Sequence, residues 1–238
     1  MPRTARIAPG GVVYHVLNRA AGRFRMLRTD RDFLAFEHVL LEAHEHVPGV
    51  CVLAWCVLPN HWHFVVRPTR DGELSAFFRR LAHTHAMRWR VAHRTVGYGP
   101  LYQGRFKSFP VQYDRHLTTV IRYVERNALT AGLVRRAEAW RWGSLWVRGH
   151  GEEAAPLRAM LAEWPVPREW VQRVNEPITP RELERLRASV ARGRPYGDEP
   201  WTLRTAARLR LGHTLRPPGR PPKAEDDKQD RDANPRRP

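Results

Sequence analysis

In LPNHWHFVVR, His61 and His63 are separated by one residue, and in DRHLTTVIRYVERN, Tyr123 and Asn127 are four positions apart. Each spacing does chemistry in only one kind of backbone. Along a strand alternate side chains share a face, so His61, His63 and Val65 point one way and Trp62, Phe64 and Val66 the other. The second set reads as core; the first offers two imidazoles to a divalent cation, or to water. Along a helix, residues four apart stack one turn above the other. Tyr123 then lies beside a carboxamide whose oxygen can complete a metal site, while the phenol is a nucleophile. The same tyrosine, next to the stripe Leu117, Val120, Ile121 and Val124, also reads as the edge of a core. The chain has 12 histidines, and the other close pairs, His44/His46 and His83/His85, fall in helical stretches. There, positions two apart diverge by roughly 200° about the axis, so neither pair grips one ion.

The elements that must carry these residues follow from periodicity and punctuation. GVVYHVLNRA (11–20) reads as a strand. From Asp30 to about Val47, Phe33, Phe36, Leu40 and Leu41 recur at helical spacing, with Thr29 or Asp30 as the cap. VCVLAWCVL (50–58) and HWHFVVR (61–67) flank the Pro59-Asn60 turn and form a hairpin. A helix spans about 74–93, a strand 104–112 in which Pro110 marks an edge, and a helix 114–127. The order β-α-β-β-α-β-α predicts an α+β fold of ferredoxin-like plan, an antiparallel sheet with helices on one face. AWRWGSLWVRG (139–149) closes it. Short helical pieces near 156–163, 167–174, 179–192 and 199–211 follow. The expected organisation is a sheet domain over 1–150, a small helical DNA-binding region over 151–215, and a disordered basic, Pro-rich tail over 216–238.

Charge names the partner. Lys and Arg total 41 against 24 acidic residues, a formal net of +17, and only Lys107, Lys223 and Lys228 are lysines. The guanidinium is a planar fork suited to phosphate oxygens and to stacking on bases, so nucleic acid is the first partner to consider. Arg79 and Arg80 crowd a helix with Arg88 and Arg90 and suit backbone attraction. Arg105 and Lys107 alternate along a strand and line a DNA path or a solvated edge. Arg192-Gly193-Arg194-Pro195 and Gly219-Arg220-Pro221 are short minor-groove-like matches. No run approaches the ~20 apolar residues of a membrane span, and MPRTARIAPG lacks a secretory leader's apolar stretch. Cys51 and Cys56 sit on opposite faces of one strand and read as reduced thiols. A cytoplasmic, nucleoid-associated protein is expected.

With the residues in place, the chain resembles the single-tyrosine HUH transposases, and among them the REP-associated tyrosine transposases. HUH denotes His–hydrophobic–His, here His61-Trp62-His63. The family's helix motif is similar to YVERNALTAGLV (123–134), and YHVLNRA (14–20), LYQGRFKS (101–108), GRPYGDEPW (193–201) and HTLRPPGRPPK (213–223) are also family-like, in matching order. The chain departs after the asparagine, where Ala128-Leu129 replaces the usual Pro-Val; no chemical group is lost. The resemblance implies that His61, His63 and Asn127 hold one Mg²⁺ or Mn²⁺. Ligand softness by itself favours Mn²⁺ over Mg²⁺ at two imidazoles.

It also implies that Tyr123 attacks the scissile phosphate of single-stranded DNA, forming a 5′-phosphotyrosine and freeing a 3′-hydroxyl. The substrates would be folded palindromic repeat hairpins, contacted by Arg19, Arg105, Lys107, Arg79, Arg80 and Arg194. Tyr98, Tyr102 and Tyr113 are rival nucleophiles without a helical amide partner. A replication initiator or relaxase would carry further tyrosines or a third histidine. Position 65 is valine, against a histidine-triad hydrolase, and a structural zinc site needs four ligands. The second reading is a non-catalytic repeat-binding regulator on the same fold. Monomer and dimer stay open.

Overall fold

In the computed structural model, which describes residues 6–216, strand β1 (Val13–Arg19) leads into helix α1 (Asp30–His46) and the hairpin of β2 (Val50–Leu58) and β3 (His61–Pro68). Helix α2 (Glu73–Ala92), strand β4 (Lys107–Val111) and helix α3 (Arg115–Glu125) follow. The tail from residue 217, with Gly219-Arg220-Pro221, lies outside the described residues. Local chemistry starts each element. Thr29 caps α1 through a capping box, its hydroxyl accepting from the Asp32 amide while the Asp32 carboxylate accepts from the Thr29 amide, which satisfies two otherwise open groups. Asp114 caps α3 by accepting from the His116 amide at 2.7 Å.

All pairings are antiparallel in the order β2-β3-β1-β4, the ferredoxin-like arrangement. The register of the central pair sets Val65 opposite His15, His63 opposite Leu17 and His61 opposite Arg19. β4 is an edge strand, as Pro110 foretold, but it begins at Lys107, so Arg105 lies in the loop before it.

The expectation of helices on one face is corrected by the structure. Helices α1 and α2 cover one face, burying Tyr14, Val16, Trp55, Trp62, Phe64 and Val66. Helix α3 covers the other, on Val13, Ala54, Cys56, Val65 and Phe109, with its stripe Leu117, Val120, Ile121 and Val124. The reason lies in the strands, which are apolar at odd and even positions alike and so need a layer on each side. Cys51 and Cys56 are free thiols.

The remaining helices are α4 (Asn127–Thr130), α5 (Ser144–Gly149), α6 (Ala155–Met160), α7 (Trp170–Asn175), α8 (Pro180–Arg192) and α9 (Glu199–Arg208). Trp164, Trp170, Val174, Leu186 and Tyr196 from this part bury in the same cluster as α3. The chain also covers both sheet edges. The Val57 amide donates to the Trp142 carbonyl, the Ala162 amide to Val52, and Tyr196 exchanges backbone bonds with Pro110 and Gln112 beside β4. Covered edges remove the unpaired donors and acceptors that invite strand addition.

Candidate metal centre and nucleophile

His61 and His63 face the α3 side of the sheet, their ring centroids 5.0 Å apart at an interplanar angle of 81°. His63 is only 3 % exposed and His61 is half-buried. Each ring has its Nδ1 occupied. His61 Nδ1 lies 2.6 Å from Oδ1 of Asn60, the turn residue before it, and His63 Nδ1 lies 2.9 Å from Nε2 of His15 on β1. Nε2 is then the remaining nitrogen on both, and metal-binding imidazoles have such a partner on the other nitrogen.

Helix α3 brings the tyrosine. Because its apolar stripe seats on the sheet, the flanking position 123 comes over β1 and β3. The Tyr123 ring is 5.8 Å from the His63 ring at 86° and 6.2 Å from the His15 ring at 64°. One turn on, where α4 begins, Asn127 stands near enough to the Tyr123 hydroxyl to draw its pKa down.

Burial dominates the electrostatics. It pushes the Tyr123 phenol above its ordinary pKa, while Asn127 and the charges of Arg187 and Arg19 pull it back. Burial, then Arg19, lowers His61 to about 4. His63 falls well below its ordinary value, through burial first and then the neighbouring His15, His61 and Arg19. Both imidazoles are therefore neutral near pH 7, the form that ligates metal.

Two neutral imidazoles and a carboxamide oxygen are a donor set compatible with Mn²⁺ or Mg²⁺, with the cation's charge left undiminished. Among the described residues no cluster of three His, Cys, Asp or Glu side chains is placed to hold an ion, so an ion at the two imidazoles would need a donor of another type.

The rival tyrosines separate cleanly. Tyr102 is buried on the α2 side of the sheet, its hydroxyl accepting from the Trp62 indole at 3.1 Å and 2.7 Å from His85 Nδ1; burial raises its pKa. Tyr98 and Tyr113 are 80 % and 53 % exposed. Of the candidate DNA contacts, Arg19, Arg105 and Lys107 line one groove together with Arg187 of α8. Arg194 lines a different one, with Arg115, Arg181 and Arg185. Arg79 and Arg80 ride on α2, across the sheet from the histidines.

Two residues at the site escaped the sequence reading. His15 lies within YHVLNRA, at an odd position of β1 that shares the face of His61 and His63, and only the strand register reveals it. Arg187 sits on α8, more than sixty residues after Tyr123, and no local pattern marks it.

The architecture and this face define a class: a ferredoxin-like antiparallel sheet presenting a His–hydrophobic–His strand to a tyrosine-bearing helix, the single-tyrosine HUH plan. Residues 10–127 match the family model of IS200-like transposases, and through that segment the chain belongs to this family. No curated protein sequence matches the chain. Among solved structures it is similar to a REP-associated tyrosine transposase bound to a REP hairpin. That likeness has 20 % identity and a TM-score of 0.49, over 60 % of this chain and 82 % of that one. It is also similar to a candidate transposase from Deinococcus radiodurans R1, with 18 % identity and a TM-score of 0.38 over 53 % of this chain and 97 % of that one. No helix among the described residues is long and apolar enough to cross a membrane.

Proposed function

We propose that the chain is a metal-dependent single-stranded DNA endonuclease and strand transferase that acts on repeat hairpins with Tyr123 as nucleophile. The observation that supports this most is the packing of the Tyr123 ring against His63, 5.8 Å between centroids, with Asn127 one turn on along the same helix end. His61, His63 and Asn127 would hold the divalent ion, Mg²⁺ or Mn²⁺. When bound, that ion supplies charge stabilisation to the non-bridging oxygens of the scissile phosphate.

The chain's own groups do the rest. Tyr123 bonds through its phenol oxygen to phosphorus as the bond from phosphorus to the 3′-oxygen breaks. The phenol proton leaves to solvent or a neighbouring base, and the freed 3′-oxygen takes up a proton. The product is a 5′-phosphotyrosine and a 3′-hydroxyl, and the retained phosphodiester energy permits rejoining without a nucleotide cofactor. Arg19 and Arg187 lower the cost of the phenolate. With Arg105 and Lys107 they give the strand a cationic path.

The experiment is to incubate the protein with a labelled single-stranded repeat hairpin and Mn²⁺ or Mg²⁺, then resolve the products under denaturing conditions. A covalent adduct lost in Tyr123→Phe supports the reading; an adduct that persists in that variant sinks the nucleophile assignment. Tight, salt-sensitive hairpin binding with no adduct under any metal favours the repeat-binding regulator instead.

A further inference from the structure

We propose that His15 is a positioning residue: its Nε2 accepts the Nδ1 proton of His63 and locks that ring in the tautomer whose Nε2 lone pair is available. The proposal deepens the metal-site reading above and rests on it for its use in catalysis.

The two histidines of the strand are oriented by different means. For His61 the matter is settled by Asn60, whose Nδ2 donates to the Arg23 carbonyl at 3.2 Å, so its Oδ1 is the atom facing His61. A carboxamide oxygen only accepts; His61 Nδ1 therefore carries the proton and Nε2 does not. For His63 the partner is another imidazole, at 2.9 Å, and an imidazole can donate or accept. If His15 Nε2 donated, His63 would carry its proton on Nε2 and could not ligate. If His15 accepts, both histidines of the strand present the same unprotonated nitrogen.

In either arrangement His15 is left with one unpaired nitrogen. His15 is fully buried, and its Nδ1 has no hydrogen-bond partner among the described residues. Its ring lies 4.7 Å from that of Phe109, so a phenyl group would fill the same space with no orphaned nitrogen. An unpaired buried polar atom of this kind calls for an explanation, and the bond that Nε2 makes to His63 is one; of its two directions, only acceptance by His15 leaves His63 Nε2 free to ligate. The alternative is that His15 only fills the core, in which case replacing it by phenylalanine leaves His63 unchanged.

Long-range ¹H–¹⁵N spectra of the full-length, metal-free protein read which nitrogen of each histidine is protonated, and calorimetric titration with Mn²⁺ reads affinity. The expected wild-type spectrum has His63 protonated at Nδ1. In His15→Phe that preference disappears and Mn²⁺ binds about 10–100-fold more weakly, while His15→Gln, whose carboxamide oxygen reaches the place of Nε2, restores both. A wild-type His63 protonated at Nε2 overturns the proposal, as does a folded His15→Phe with an unchanged spectrum and unchanged Mn²⁺ affinity. If His15→Phe does not fold, the wild-type spectrum and His15→Gln still decide. Absence of Mn²⁺ binding by the wild type would sink the metal reading of the preceding section, whereas the tautomer spectrum judges His15 independently of it.

Discussion

The two faces of strand β3 differ in how their polar atoms are treated. On one, Trp62, Phe64 and Val66 are wholly buried, and the one polar group, the Trp62 indole, is tied to Tyr102, which is tied in turn to His85. On the other, His61 and His63 keep a ring nitrogen in reserve, His15 Nδ1 and Arg19 Nε lack partners among the described residues, and a tyrosine is held above its ordinary pKa. On β3 itself the first face has its one polar group paired, although the Trp55 indole beside Phe64 has no partner among the described residues, and the second face keeps ring nitrogens open. Rigidity on the first side fixes the direction of the unsatisfied groups on the second.

The comparison can be broken first at Tyr123. Tyr123→Phe removes one oxygen at the second face; adduct formation should vanish while hairpin affinity and melting temperature stay near wild type, as checked by denaturing gels, filter binding and calorimetry. On the first face the converse holds. Trp62→Ala should cost about 3–5 kcal/mol of stability, measured by urea unfolding, and activity should fall only as the folded fraction falls.

The pH response comes next. In the metal-free protein His15 and His85 are lowered to about 3 and His61 to about 4, by burial in each case. Below pH 6.5 the unfolded chain takes up protons at these sites and the folded chain does not, so stability is fully present above that pH and is lost as pH falls toward the folded values. At pH 5 this amounts to about 2 kcal/mol per histidine. The three together should lower the melting temperature by about 12–24 °C between pH 7 and pH 5; a flat profile would show that these rings are not held neutral. The smallest effect is expected from Arg187→Ala. It should lower the steepness of the log–log salt dependence of single-strand binding by about 0.7 and slow adduct formation several-fold without altering Mn²⁺ affinity.

Much of this was legible in the residues. The bounds of β2 were read to the residue because an unbroken apolar run ends at Pro59-Asn60, and of the two cap residues expected for α1, Thr29 and Asp30, Thr29 is the one that caps. The α3 stripe and the Tyr123–Asn127 stack followed from helical periodicity. What escaped depends on tertiary register. His15 looks like any strand residue until β1 is laid beside β3, and Arg187 reaches Tyr123 only because α8 folds back. The placement of helices on one face failed for a physical reason: strands apolar at odd and even positions do not tell which side a given helix will take.

Two residues after the nucleophile, Glu125 has a side chain with no solvent exposure that accepts from Ser144 Oγ at 2.6 Å, Arg148 Nε at 3.1 Å and the Trp170 indole at 2.7 Å. Those donors come from beyond the family-matched segment. Buried carboxylates of this kind tolerate no loss of a partner. A chain cut at residue 150 would keep the proposed nucleophile and metal ligands, yet it would lose Arg187 and the Trp170 donor and uncover the helix that aims the tyrosine. The length of sequence that defines the family and the length that holds the tyrosine still are therefore different quantities.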